Sequence, residues 1–412
     1  MRHRHHSAAH WHLTAGGVLG MILAVALLVL VACNDQGESI SDEEMSTLVA
    51  QALPTHTPRP TFTPVPTDTP VPTAANTATA MPTATFVSVT STPTEMPTAT
   101  PDPRISPLTG LRVSDPALLR RRVLAVRIGN DPSIRPQEGL AQAEIVYEEI
   151  MDGWAVTRFT ALYLANEAER LRPIRSARLS SLNIIPQYDA VQVHTGASDT
   201  IRWLISQATE TGFVDLDEYY HPKPYGVLSG YDWRGRVYTS VEKIREYLRE
   251  KGLERDRRIP GYVFDGEPPP GETQPALFVH IPYPKACVAE WRYDQDAGRY
   301  LRWVQGEPHL DGLTGEQLAA DNVIVFYAEH KKTDIVEDSL GNTAIDIVMT
   351  GSGRAQICRD GLAIEGRWVQ SAANEPIQYY DDSGKVIPLR PGNTWIQLVP
   401  QDYDVAIGQA SQ

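Results

Sequence analysis

The clearest chemical possibilities in this chain sit on three arginines, one histidine and one glutamate. Arg175 and Arg178 are spaced i, i+3, so on a helical turn they share a face, and Arg158 sits on a strand that can lie nearby. Guanidinium forks bind carboxylate or phosphate through paired hydrogen bonds, so the set suits an acidic substrate or wall fragment. The competing reading is structural: these arginines pair with Glu144, Glu148 or Glu149 and fix a hairpin against a helix. His194 ends an apolar run just before Gly196, Ala197 and Ser198. An imidazole there suits general-base work, with Asp199 or Glu148 orienting it and Ser198 as nucleophile. No G-x-S-x-G turn accompanies it, and a buried, hydrogen-bonded histidine is the commoner case. Glu148 and Glu149 adjoin, so on a strand they face opposite ways and do not form an acid–base couple. Glycoside cleavage would need Glu148 beside a distant carboxylate such as Asp189 or Asp217. Asn130 and Arg135, just after the first strand, complete the candidate ligand-binding set. Gly351-Ser-Gly-Arg354 lacks the Lys-Ser/Thr and helix of a phosphate loop and reads as a tight turn. With no CxxC, HExxH or EF-hand loop, neither a metal site nor a cofactor is expected.

The elements that must position these groups fall into two halves. In the first, Val123–Ile128, Glu144–Glu148, Thr157–Leu164 and Ala190–His194 read as strands, the middle two joined as a hairpin through Asp152-Gly153. Ser176–Ile185 suits a helix capped by Ser176 and stopped before Pro186. Asp199–Thr209 is a second helix. The clearest is Ser240–Gly252, with Ser240 as cap, Gly252 as stop and an apolar stripe of Val241, Ile244, Tyr247 and Leu248. The break is the Pro- and Gly-rich stretch 265–275. Beyond it, Val288–Asp294 and Arg299–Val304 read as a hairpin and Thr314–Asn322 as a short helix. Further strands follow at Val323–Tyr327, Ala344–Met349, Ala355–Cys358, Ile364–Val369 and Thr394–Val399. The expected architecture is an α/β, mixed-sheet domain over 106–264 and a β-rich α+β domain over 276–412. Trp291, Tyr293, Trp303, Trp368 and Trp395 read as core; a sugar-stacking platform would need several of them exposed.

The preceding 105 residues set an address. Trp11–Cys33 holds no charged residue and follows Arg2 and Arg4, and Leu30-Val31-Ala32-Cys33 resembles a lipobox. A signal over 1–32 and lipidation of Cys33 place the chain on the outer face of the cell membrane. The competing reading is an uncleaved span with the same outward topology. Residues 54–103 contain twelve Pro and sixteen Thr. That composition excludes helix and interior strand over 54–103, which reaches on the order of 150 Å when extended, and 33–105 reads as a disordered Thr/Pro-rich stalk. Losing the leader removes two arginines and no acid, taking the net charge from −14 to −16. Such a chain is a poor nucleic-acid binder. Cys287 and Cys358 are the cysteines left after Cys33, and a disulfide between them is chemically permitted outside the cell.

Several segments together resemble the YerB-like lipoproteins, a two-part family of unknown function. The first half carries Pro107-Leu-Thr-Gly-Leu111, Arg135-Pro-Gln-Glu-Gly-Leu140, Ala143-Glu-Ile-Val-Tyr-Glu148, Thr157-Arg-Phe159 and Pro173-Ile-Arg-Ser-Ala-Arg178. The second carries Trp291-Arg-Tyr-Asp294, Asp321-Asn-Val-Ile-Val325, Gly351-Ser-Gly-Arg354, Gly366-Arg-Trp368 and Pro391-Gly-Asn-Thr-Trp395. The resemblance implies a lipid-anchored, extracytoplasmic protein and supplies no established activity. Gly129 departs from the acid usual before the Asn. The functional expectation is a binding or scaffolding module for a cell-wall component or an envelope protein. A hydrolase of wall glycan or acyl bonds and a small-solute receptor are the alternatives.

Overall fold

The computed structural model describes residues 102–209, 213–269, 271–284 and 286–409. The leader, Cys33 and the Thr/Pro stalk lie outside them. The first half contributes strands β1 Leu124–Gly129, β2 Ile145–Ile150, β3 Thr157–Tyr163, β4 Val191–His194 and β5 Val214–Asp217, and a short pair, β6 Gly226–Val227 and β7 Val237–Tyr238. Its helices are α1 Ser181–Ile184, α2 Asp199–Thr209 and α3 Val241–Glu250. The second half opens with β8 Gln274–Pro275, β9 Phe278–Ile281, β10 Ala289–Asp294, β11 Arg299–Val304, β12 Glu307–Pro308 and β13 Ala319–Ala320. It continues with β14 Asn322–Ala328, β15 His330–Val336, β16 Thr343–Ile347, β17 Gly351–Arg359, β18 Leu362–Gln370, β19 Gln378–Tyr380, β20 Thr394–Pro400 and β21 Ala406–Gly408.

Both halves enter one mixed sheet of order β19-β18-β17-β14-β20-β2-β3-β1-β4-β5. The seam is β20 running parallel to β2, with Ile145 opposite Thr394 and Glu148 opposite Gln397. The proline-rich break at 265–275 is therefore a boundary in sequence, while the sheet and the core run across it. Strands β1, β2, β3, β14 and β20 are buried at every position, as apolar runs covered on both faces are. A second sheet, β12-β11-β10-β9-β21, covers one face, and Trp291 of β10 meets Trp395 of β20 with ring centroids 5.1 Å apart. On the other face the hydroxyls of Tyr147, Tyr188 and Tyr262 form a chain with 2.7 Å between neighbours. The hairpin β15–β16 pairs only with itself, as a separate arm. It leans on the first half, where Asn183 Nδ2 donates to the Ile347 carbonyl at 2.9 Å.

Several local expectations are corrected. The helix foreseen over 176–185 shrinks to Ser181–Ile184, followed by a 3-10 turn over Ile185–Tyr188. The backbone before it is already committed: Arg175 N–H donates to the Arg127 carbonyl and Ala177 N–H to that of Gly196. Arg175 and Arg178 are thus in extended chain, not on one helical turn. Thr314–Asn322 is not a helix either. The Asp311 carboxylate takes the Leu313 N–H at 2.8 Å, Gly315 has φ +74°, and Ala319–Ala320 pairs with β11. Gly351-Ser-Gly-Arg354 opens strand β17 instead of forming a turn loop, because Gly353 lies under Trp368, whose Nε1 would stand 2.6 Å from an added Cβ. Cys287 and Cys358 are both free thiols. The helix over Asp199–Thr209 and the hairpin β10–β11 stand as read, and the α3 cap is made by Ser240 Oγ accepting from Lys243 N–H.

Glu144 clasps the start of β2 to the end of β3. Its carboxylate accepts the backbone N–H groups of Leu164 and Ala165. Burial raises its pKa from 4.5 to about 7, against the pull of those amides and of Arg121 and Arg245. The folded protein therefore holds this proton over a range where the unfolded chain has lost it. Stability from this group is fullest below about pH 4.5 and falls as pH rises toward 7, by on the order of 3 kcal/mol. Glu144→Gln keeps the acceptor oxygen and removes the titration. In thermal unfolding, the wild-type midpoint should fall between about pH 5 and pH 8 more steeply than that of the variant. Parallel slopes would show that Glu144 does not carry this dependence.

Candidate functional site

The sequence candidates separate onto the two faces of β1–β3. Alternation along β2 points Glu148 to the face covered by the second sheet and Glu149 to the other. Glu149 pairs there with Arg127, while Glu148 pairs with Arg302 of β11 at 2.8 Å, both side chains fully enclosed. The two halves are thus tied by an interior ion pair as well as by the seam.

A ring of hydrogen bonds closes around that pair. Arg302 Nη2 donates to Glu148 Oε2, and Arg302 Nε donates to His309 Nδ1 at 3.0 Å. His309 Nε2 then donates to Gln137 Oε1 at 2.7 Å, and Gln137 Nε2 to Asn130 Oδ1 at 2.9 Å. Asn130 Nδ2 returns to Glu148 Oε1 at 3.3 Å, beside Thr157 Oγ1, which donates to the same oxygen at 2.7 Å. Arg302 only donates and Glu148 only accepts, so the neutral groups between them are polarised in one direction. Burial, with Arg302 and Arg135 close by, holds the His309 pKa well below the usual range, which fixes the neutral ring this pattern requires. Burial also pushes the Glu148 carboxyl up, opposed chiefly by Arg302. The guanidinium of Arg302 sits among Trp395, Trp291 and Phe159, 4.8, 5.1 and 5.6 Å from their ring centroids. Arg135 closes the edge, donating to the Asn130 and Ala286 carbonyls and lying 3.3 Å from Cys287 Sγ. The Cys287 thiol is raised by burial, which works against thiolate chemistry there. Asn130, Arg135 and Glu148 are therefore brought together, but with Asn130 and Glu148 inside the protein and Arg135 half-buried over them. Arg302, His309 and Gln137 were missed from the sequence. The one signal was Arg302 in the buried phase of the alternation Tyr300, Arg302, Val304.

The opposite group gathers at the carboxyl ends of β1, β4 and β5, the edge where open α/β sheets form crevices. His194 is enclosed, with Nδ1 2.9 Å from the Gly196 carbonyl and Nε2 2.9 Å from Asp215 Oδ1. Its orienting acid is thus Asp215 in place of Asp199 or Glu148, and no contact joins it to Ser198. Arg178 pairs with Asp152 at 2.6 Å and lies 3.6 Å from Glu337, at the end of the β15–β16 arm. Arg158 has no acid partner in hydrogen-bond range. Its Nη1 donates to the Ser176 carbonyl at 2.8 Å and its buried Nε meets nothing. Burial, then the charges of Arg178, Arg175 and Arg127, press its pKa well below the ordinary value. Arg175 makes no salt bridge either, although Asp131 and Asp232 lie near it. It crosses the bare Cα of Gly129, where an added Cβ would stand 2.7 Å from Arg175 Cγ, and lies under Trp233 at 5.4 Å. So Arg158, Arg175 and Arg178 do converge, by strand and loop packing instead of helical spacing, and Glu144, Glu148 and Glu149 do not neutralise them.

Exposed aromatic rings border this edge. Trp233 is 65% exposed and Tyr231 50%, on the loop between β6 and β7, and Tyr219 is 71% exposed after β5. Each lies by a guanidinium: Tyr231 by Arg172 at 4.6 Å, Trp233 by Arg175, and Tyr219 by Arg202 at 5.3 Å. By contrast Trp291, Trp368 and Trp395 are core. A cavity of about 530 Å³ lies elsewhere, between 271–274, β18 and 381–388, and is lined by second-half residues alone. Among the described residues no cluster of His, Cys, Asp and Glu suits a metal ion, and no helix is long and apolar enough to cross a membrane.

Comparison with known proteins agrees with this architecture. Residues 108–254 match the family described as protein of unknown function (DUF3048), N-terminal domain, and residues 279–396 match its C-terminal domain. The chain is 30% identical over 320 residues to YerB of Bacillus subtilis (strain 168), a protein named as a lipoprotein, covering 73% of this chain and 87% of that one. It is also similar to the crystal structure of YerB from Bacillus subtilis, with a TM-score of 0.63 and 26% identity over 73% of this chain and 99% of that one.

The interior ring gives a direct stability test. Breaking a buried pair by removing one partner leaves an uncompensated charge and costs roughly 3–5 kcal/mol. Glu148→Gln and Arg302→Met should each lose that much in urea unfolding. The double variant should lose less than the two together, with a coupling above about 1 kcal/mol. Single variants within about 1 kcal/mol of wild type would show that the pair does not hold the halves together.

Proposed function

Since the chain belongs to the DUF3048 family through both its domains, we propose that it is a lipid-anchored extracytoplasmic binding module whose working surface is the arginine-bearing, aromatic edge at the carboxyl ends of β1, β4 and β5. The ligand on this reading is a cell-wall glycan. The observation that carries it is the row of exposed rings, each beside an arginine, on a protein that is acidic overall. Flat rings take sugar faces, and Arg175, which has no salt bridge, takes a hydroxyl or acidic group beside them, while Arg172 and Arg202 are held in place by Glu138 and Asp217 at 2.9 Å each. The alternative hydrolase reading draws no such support. Glu148 and His194 are fully enclosed and spend their polar atoms on protein partners. The lipobox at Cys33 and the Thr/Pro stalk fit a module held outside the membrane and working within the wall.

Two measurements test this. In cells, Cys33→Ser should move the protein from the membrane fraction to the soluble extracytoplasmic fraction; retention at the membrane would contradict anchorage through that thiol. In a sedimentation assay, the intact protein should pellet with purified wall sacculi. Tyr231→Ala with Trp233→Ala should weaken that retention about tenfold while leaving the unfolding midpoint in place. No retention of the wild type, or equal retention of the variant, would overturn the proposed surface.

A further inference from the structure

We infer that Arg158, Arg175 and Arg178 form a seat for an oxyanion borne by a saccharide, a carboxylate or a phosphate ester, and that Glu337 occupies this seat in the unliganded protein. This deepens the binding reading above and rests on it. Two deficits face each other at this edge. On one side Arg158, 94% buried, lacks a carboxylate partner and leaves its Nε without an acceptor. On the other, the Glu337 side chain is fully enclosed and weakly held, with Ser198 as its polar neighbour. Its ion contact, 3.6 Å to Arg178, is looser than the 2.6 Å contact that Arg178 makes with Asp152. A buried donor or carboxylate without partners costs free energy. Both deficits are relieved when an outside oxyanion takes the guanidinium groups and Glu337 moves into water.

The construction of the arm suits such an exchange. Strands β15 and β16 share a ladder only with one another, outside the large sheet, and the Asn183 bond to Ile347 holds the hairpin at the end away from Glu337. The turn beyond Glu337 is held by its own contacts, Glu337 N–H to the Asn342 carbonyl at 2.8 Å and Asp338 to the amides of Leu340 and Asn342. Moving it breaks no ladder of the core. Next to the seat the chain is small and open: an added Cβ on Gly196 would meet only Ser176 Oγ at 3.7 Å and Arg202 Nη2 at 3.8 Å. Trp233, with its ring 5.4 Å from the Arg175 guanidinium and largely exposed, supplies a flat face beside the seat.

The test uses the intact protein, with glucuronic acid and glucose 6-phosphate as the two anionic probes and glucose as the neutral one. Binding is read by tryptophan fluorescence, with Trp233→Phe identifying the reporter, and checked by calorimetry. Both anionic sugars should bind and compete with one another, and glucose should bind at least about tenfold more weakly. Preference for one anionic probe tells whether carboxylate or phosphate is the natural group. Arg175→Gln should abolish binding, whereas Glu337→Gln, which removes the internal carboxylate, should tighten it about tenfold. Equal binding of glucose, an unaffected Arg175→Gln protein, or weaker binding by a folded Glu337→Gln protein would each overturn the seat. If wall retention depends on Tyr231 and Trp233 but not on Arg175, the seat fails and the wall reading stands. If the anionic sugars bind and sacculi do not, the reverse holds.

Discussion

The whole fold depends on β20 lying between β14 and β2. That strand comes from the far end of the folded chain, yet it runs parallel to β2 of the first half and completes its hydrogen bonding. Without it, β2 is an edge and the first half ends in an open ladder. Tyr283 marks the importance of this line: its hydroxyl lies 3.1 Å from the Glu148 carbonyl and 3.2 Å from that of Leu398, one on each strand of the seam. The interior ring then fixes what the seam permits. A slip of β2 by one residue would exchange Glu148 for Glu149 on the covered face and strand Arg302 among its three rings. Polar groups in this position set register as well as stability, because a shifted alignment would part Glu148 from Arg302 and leave both charges buried.

The two faces of β1–β3 divide the work. Behind the second sheet, Arg302 and Glu148 are matched and linked through groups that each find a partner. At the carboxyl edge the matching is looser: Arg158 and Arg175 make no salt bridge, with Asp152 near the first and Asp131 and Asp232 near the second, and Arg178 divides itself between Asp152 and Glu337 of the arm. Loosely paired guanidinium groups on connections and strand ends, held by a rigid scaffold, are what a binding edge looks like. The rings of Tyr219, Tyr231 and Trp233 sit on connections, where their exposure costs the core nothing.

Much of the scaffold was legible in the sequence, for simple reasons. Val123–Ile128 and Thr157–Leu164 are β-branched and apolar runs that can only be buried strands, and Ser240 announces α3 by capping it. What failed to show was whatever depends on distant partners. The residues before α1 look helical until their amides are seen to be spent on Arg127 and Gly196. Gly351–Arg354 looks like a turn until Trp368 is laid over Gly353. Asn130, Arg135 and Glu148 could be picked out as polar residues at strand ends. Their interior role could not, because Arg302 and His309 arrive from the other half. The exposed rings of the 219–233 segment were passed over for a related reason: exposure is decided by what fails to cover a residue, and composition carries no record of that.

The placement of β20 also fixes an order of events during synthesis. The ribosome delivers the amino end first, so β1, β2 and β3 emerge long before the strand that completes them. Until Thr394–Pro400 appears, the first half carries an unpaired apolar edge along β2, with Glu148 still in water. The chain's early life is therefore that of an unfinished sheet, and its last strand acts as the keystone that converts two partial halves into one body.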